Sequence, residues 1–371
     1  MNLTGSLAAS GGASASRQAA QRDLPLIDLG KAVASQCIVW HHFVIYGPMA
    51  ATAEPLAPDL MDWLAEHGRL AVQVFLVMAG FLAASVLGRP GAAGLAWGEV
   101  PARTGARFLR LARPYWVAMA MAVLAAAVAR ALVDEPSTPA PPDLAQLLAH
   151  ALMLQDLVGV EALSAGVWYV AIDLQLHLML LLVAAALSAV PPGWRRAVAP
   201  GAVGVLVAVS WMGFNLDPAH DVWAPYFFGA YGAGVLAALA AARFGPGGSA
   251  TDRRVGAAIV VMLALLMALA LLEAWRSRVV LAGAVALVLA FGSRVRGPGG
   301  PVRRLMGGLA AISYAVFLIH YPVVMAVGAV VERLWPGVPE VHAAGLLAAW
   351  GLTLAAGAAL HRLTEPAPAR R

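Results

Sequence analysis

Charge is scarce in this chain: Asp, Glu, Lys and Arg make up 12% of its 371 residues, about half the share of a typical soluble domain. So little charge excludes water as the main solvent. Cysteine is scarcer still. A single residue, Cys37, rules out an internal disulfide and leaves no thiolate cluster to hold zinc or an iron–sulfur centre. Redox chemistry is therefore not expected. The first residues lack an apolar run as well. Rich in Ala, Ser and Gly and carrying Arg17 and Arg22, residues 1–26 do not resemble a cleavable signal and read as a disordered cytoplasmic tail. Soluble inserts and internal repeats, which mark many transporters, are also absent from the pattern.

What the chain has in abundance is hydrocarbon. Hydrophobic residues account for 61% of it and the mean hydropathy is +0.76. They fall into stretches of about 17 to 25 residues, the length that crosses a hydrocarbon core of roughly 30 Å. This predicts an all-α, polytopic transmembrane bundle of about ten spans. They lie near 28–48, 70–88, 108–132, 166–189, 197–214, 224–242, 255–272, 278–293, 307–331 and 342–361. One membrane domain would cover 27–363, followed by a cytoplasmic tail over 364–371. The stretch 143–165 is apolar but interrupted by Gln155, Asp156, Gly159 and Glu161, so it reads as interfacial or re-entrant.

The net charge of +5 does not point to nucleic acid, because the arginines sit in short clusters between apolar segments. They report topology instead. With the N-terminus inside, the outer side keeps Arg69, Arg130, Arg276, Arg278 and Arg333, leaving 20 of the 25 basic residues on the cytoplasmic side. That bias favours ten spans with both termini cytoplasmic.

Ionisable side chains inside spans are costly in lipid, so each is a functional candidate. The first span holds Asp28, Lys31, Gln36, His41 and His42. At 100° per residue, Lys31 and His42 fall within about 20° of one face and about 16 Å apart along the axis. His42 is then a candidate base deep in the bundle, or a hydrogen-bond donor to a neighbouring helix. Asp28 and Lys31 form the charged mouth, or an interfacial pair. A Cys37–His41 dyad has i,i+4 spacing, but an apolar setting disfavours the thiolate. His41 and His42 lack a third metal ligand, so no metal site is expected.

Arg103, Arg107 and Arg110 share a helical face before Pro114. They serve as positive-inside anchors or as a cradle for a polyanion. In the fourth span Trp168 precedes Asp173 and His177, which could pair at i,i+4. In the ninth, Ser313 and His320 share a face beside Tyr314, with Pro322 loosening the helix beyond.

At these residues the chain resembles acyltransferase family 3, bacterial membrane proteins that O-acylate surface glycans and similar molecules. Ile27-Asp28, Lys31 and His42 are similar to the family's Leu-Asp-x-x-Arg and following His. Phe75-Leu-Val-Met-Ala-Gly80-Phe81 is similar to its Phe-Phe-x-x-Ser-Gly-Phe. Further likenesses are the Arg-rich run ending in Pro114-Tyr115, Trp168 to Asp173, Ile312-Ser313-Tyr314 through Leu318-Ile-His320-Tyr-Pro322, and Glu365-Pro366. Lys31 stands where Arg is usual, Ala79 where Ser is, and Asp173 where Glu is. Lysine keeps the charge at position 31 and loses the two-pronged fork.

The resemblance implies a membrane-only acyltransferase of the bacterial inner membrane. It would move an acyl group, commonly acetyl from cytoplasmic acetyl-CoA, to a hydroxyl of a glycan or other acceptor on the outer side. Lys31, Arg107 and Arg110 would hold CoA, and His42 would act as base with Asp173 and His320 in catalytic support. Asp28, Trp168, Ser313 and Tyr314 would bind substrate. The partners implied are membrane lipid and the acceptor. A proton-coupled transporter or flippase using the same buried groups as a relay is the rival from another class.

Overall fold

The computed structural model describes residues 24–87, 94–245, 247–292 and 299–364. Most of the predicted N-terminal tail, nearly all of the C-terminal one and Glu365-Pro366 lie outside these residues. All regular structure among the described residues is helical. Ten principal helices follow in order: α1 (Pro25–Ile45), α2 (Ala71–Ala83), α3 (Glu99–Leu132), α4 (Val167–Ala186), α5 (Pro192–Met212), α6 (Ala224–Arg243), α7 (Ala250–Glu273), α8 (Ser277–Gly292), α9 (Gly300–Leu334) and α10 (Pro339–Thr364).

Eight helical stretches among the described residues are long and apolar enough to cross a membrane, one of them running from Pro58 through α2 to Leu87. The other two principal helices fall short for different reasons. Helix α1 has 21 residues, but Asp28, Lys31, Gln36, His41 and His42 dilute its apolar character. Helix α8 is apolar but has 16 residues. Both pack inside the bundle, α1 against α9 and α2, and α8 against α6, α7 and α2. The ten predicted spans thus correspond to the ten principal helices, and the protein is a polytopic helical membrane protein. The main departures in length are α3 and α9, with 34 and 35 residues where about 25 were expected. Each reaches about 50 Å, well beyond a hydrocarbon core of roughly 30 Å. Pro114 and Pro322 lie inside these helices without ending them.

The order of burial identifies the centre. In α6, 83% of the apolar window is buried, against 22% in α7, which makes α6 the axis of the bundle and α7 a peripheral helix. Small residues allow this. A Cβ on Gly80 would fall 1.8 Å from the Tyr231 carbonyl oxygen, and one on Gly234 would fall 1.9 Å from that of Val77. Helices α2 and α6 therefore touch backbone to backbone, the close approach that small residues permit between membrane helices. This is the physical reason for a glycine in the Phe75–Phe81 motif.

The stretch 143–165 forms short helices over Leu144–Ala151 and Gln155–Val158, the longer about 12 Å and too short to span. Trp116 donates through Nε1 to the Ala151 carbonyl at 3.0 Å. Because Trp116 lies 16 residues before the end of α3, about 24 Å back along its axis, the segment doubles back beside α3 before α4 begins.

Candidate functional site

Helices α1 and α9 bring two histidines together across 278 residues. His42 Nδ1 lies 2.7 Å from His320 Nε2, and the two rings meet edge to edge, their centroids 4.8 Å apart and their planes tilted by 13°. Both are buried, His320 completely and His42 to 7% exposure. Their proton positions follow from one contact. His320 Nδ1 lies 2.6 Å from the Phe317 carbonyl oxygen, which can only accept, so Nδ1 carries the hydrogen. In the neutral pair His320 Nε2 is then an acceptor, and His42 Nδ1–H donates to it. The lone pair of His42 is left on Nε2, the atom a general base needs.

The surroundings of His42 come from three more elements. Gly166, the residue that caps α4, has φ +79°, and a Cβ there would meet Phe317 at 2.8 Å and His42 Cε1 at 3.3 Å. Only a glycine lets the start of α4 close over the imidazole. Tyr46 packs on His42 at 5.7 Å between centroids. His41 turns elsewhere and donates from Nδ1 to the Leu64 carbonyl at 2.9 Å, a structural tie that leaves no dyad with Cys37.

A second polar centre lies about 9 Å further along α4, six residues from its start. Arg107 of α3 grips Asp173 with Nε at 3.1 Å and Nη2 at 2.5 Å, both on Oδ2. The Asp173 side chain is 7% exposed and that of Arg107 28%. Tyr169, Tyr231 and Tyr314 surround the pair closely enough to feel its charge. Tyr314 Oη donates to the Leu111 carbonyl at 3.0 Å. Lys31 completes the cluster, within electrostatic reach of Asp28, Arg110 and Arg107. An aromatic path joins the two centres, from Tyr169 to Phe317 at 5.6 Å and from Phe317 to His320 at 5.9 Å.

The structure groups the residues expected from sequence into these two centres. His42 and His320 meet directly. Lys31, Arg107, Arg110, Asp28, Asp173 and Tyr314 gather about the other. The hydrogen-bonded partner of Asp173 is Arg107 rather than His177, because a guanidinium fork outcompetes an imidazole one turn away. Ser313 donates from Oγ to the Ala310 carbonyl of its own helix. Trp168 stacks on Phe227 at 5.2 Å. Sequence reasoning passed over Gly166, Phe317 and Tyr46. A Gly immediately before an apolar helical run was the one available signal, and it fits an ordinary helix cap equally well.

In this membrane-embedded helical bundle a buried imidazole pair stands apart from a cluster of cations. The family model for the acyltransferase domain of acyltransferase family 3 matches residues 24–360, and the chain belongs to this family. It is a membrane acyltransferase. No curated protein and no solved structure matches it.

Proposed function

We propose that the protein transfers an acetyl group from acetyl-CoA to a hydroxyl of a carbohydrate or glycan acceptor, with His42 as general base. The hydrogen-bonded order Phe317 carbonyl, His320, His42 carries this reading, because it leaves the lone pair on His42 Nε2. The donor's phosphates are held by Lys31 and Arg110, whose charges adjoin Arg107. The donor's pantetheine arm bridges the roughly 16 Å between Lys31 and His42 along α1. Arg107, held by Asp173, presents a fixed positive charge to the same path.

In the reaction the acceptor hydroxyl gives its proton to His42 Nε2 as its oxygen attacks the thioester carbonyl carbon. The C–S bond breaks and the CoA sulfur leaves, taking the proton back from His42. While His42 is cationic, its Nδ1–H bond to His320 Nε2 strengthens, and the Phe317 carbonyl holds His320 in the accepting tautomer. His320 thus occupies the place that a carboxylate holds in a Ser-His-Asp triad.

The test is release of CoA thiol from acetyl-CoA by purified protein in nanodiscs, with cell-envelope extract as acceptor. His42→Ala at matched folding is expected to lower the rate about 10²- to 10⁴-fold. His320→Gln, which can still accept through its amide oxygen, is expected to lose less. Thioester turnover that is insensitive to His42 would overturn the assignment, and no turnover with any extract would hand the site to the transporter reading.

A further inference from the structure

Beyond the two polar centres the bundle holds a third feature, at the end of α1 opposite Lys31. A partly open cleft is lined by Tyr46, Val133, Glu135, Ser137, Thr138 and Tyr321, among others. It adjoins the imidazole pair through two shared side chains. Tyr46 packs on His42 at 5.7 Å, and Tyr321 follows His320 in sequence and meets Tyr46 edge to face at 5.3 Å. A second cleft, beside Gln73, Asn215 and Tyr226, offers less, because the Arg278 donors facing it already bond Asn215 and Tyr226.

The chemistry of the first cleft selects among ligands. Its wall carries one carboxylate and no cation. Glu135 accepts from Ser137 N–H at 3.2 Å and Ser137 Oγ at 2.9 Å, both on Oε1, so the loop holds the carboxylate in place with Oε2 unused by those bonds. Tyr321 Oη donates to the Ser137 carbonyl at 3.0 Å and fixes the same loop to α9. Glu161 lies within electrostatic reach of Tyr321 and adds further negative potential. Arg130, one turn earlier on α3, points to the Pro139 carbonyl. Tyrosine faces pack against the C–H face of a saturated ring, and a fixed carboxylate accepts hydrogen bonds from its hydroxyls. An anionic ring meets like charge in this cleft.

We infer that this cleft is the acceptor subsite and that it takes an uncharged, hydroxyl-bearing ring while rejecting an anionic one, with Tyr46 and Glu135 as the specificity-determining residues. The inference rests on the acyl-transfer reading for its purpose. Its binding prediction stands apart from turnover.

Saturation-transfer NMR on the full chain in nanodiscs free of glycoside detergent tests it, with methyl β-D-glucopyranoside and the corresponding glucopyranosiduronate as probes. The neutral glycoside is expected to receive saturation, and the uronate about tenfold less. Glu135→Lys is expected to reverse or erase that preference. Val133→Trp, which fills the cleft from one wall, is expected to abolish the signal, with thermal unfolding of each variant as the folding control. No transfer to the neutral probe, equal transfer to both, or transfer unchanged by both substitutions overturns the inference. No thioester is consumed, so such a failure leaves His42-dependent turnover untouched. Loss of that turnover with cleft binding intact overturns the catalytic reading instead.

Discussion

Two groups of partly buried arginine side chains sit in this bundle, and they are put to different uses. Arg107 places two donors on a single carboxylate oxygen of Asp173, in a setting of tyrosines and neighbouring cations. Among the described residues, Arg276 and Arg278 bond to uncharged groups instead. Arg276 donates to the carbonyls of Ala270, Ala274 and Trp211 and to Asn215 Oδ1. Arg278 donates to Asn215 and Tyr226 and lies over the Tyr226 ring at 5.0 Å. Ala270 and Ala274 lie at the end of α7 and Trp211 at the end of α5, so Arg276 adds donors to carbonyls at helix ends, that of Ala270 also accepting from Ala274 N–H. One cluster balances charge inside the bundle; the other finishes its helices. An arginine's place in a span or loop does not say which, whereas the groups on its fork do.

The largest effect that would break this comparison belongs to the ion pair. Arg107→Ala leaves a carboxylate buried without its partner and is expected to cost about 3 to 5 kcal/mol, read by chemical unfolding in detergent. Adding Asp173→Asn should restore a large part of the loss. A single variant as stable as wild type would show that the pair contributes nothing to the fold. Next in size, Arg276→Ala removes hydrogen bonds to carbonyls and is expected to cost about 1 to 3 kcal/mol while leaving the KM for the proposed donor, acetyl-CoA, unchanged. A raised KM would place that cluster on the donor's route and erase the distinction. Smallest is Tyr314→Phe, which deletes one bond to the Leu111 carbonyl and is expected to cost about 0.5 to 1.5 kcal/mol in the same unfolding assay. A loss as large as that of Arg107→Ala would make the tyrosine part of the ion pair rather than its neighbour.

Much of the fold was legible because hydropathy is a local property. Each of the ten apolar runs matches one principal helix, and the errors collect at the helix ends, as in the run 28–48 that passes the end of α1 at Ile45 and the extra turns of α3 before residue 108. The 100° step placed Lys31 and His42 on one face, and α1 is helical throughout that interval. Partnerships between distant residues were not legible from spacing. Asp173 offered a nearby His177 at i,i+4, and only the packing of α3 on α4 brought Arg107 to it across 66 residues. The meeting of His42 with His320 depends on α1 lying against α9, which no periodicity encodes. Gly166 looked like a cap and proved to be the surface on which His42 rests.

The separation of the two histidines in the chain also sets a schedule. Membrane helices enter the bilayer in order of synthesis, and at about 5 to 20 residues per second the 278 residues between His42 and His320 take roughly 15 to 55 s to make. During that interval α1 already stands in the membrane with its imidazole unoriented. A nascent or truncated chain lacking α9 has His42 without the group that fixes its tautomer. Competence therefore arrives late, once nine-tenths of the helical frame has been inserted around the site.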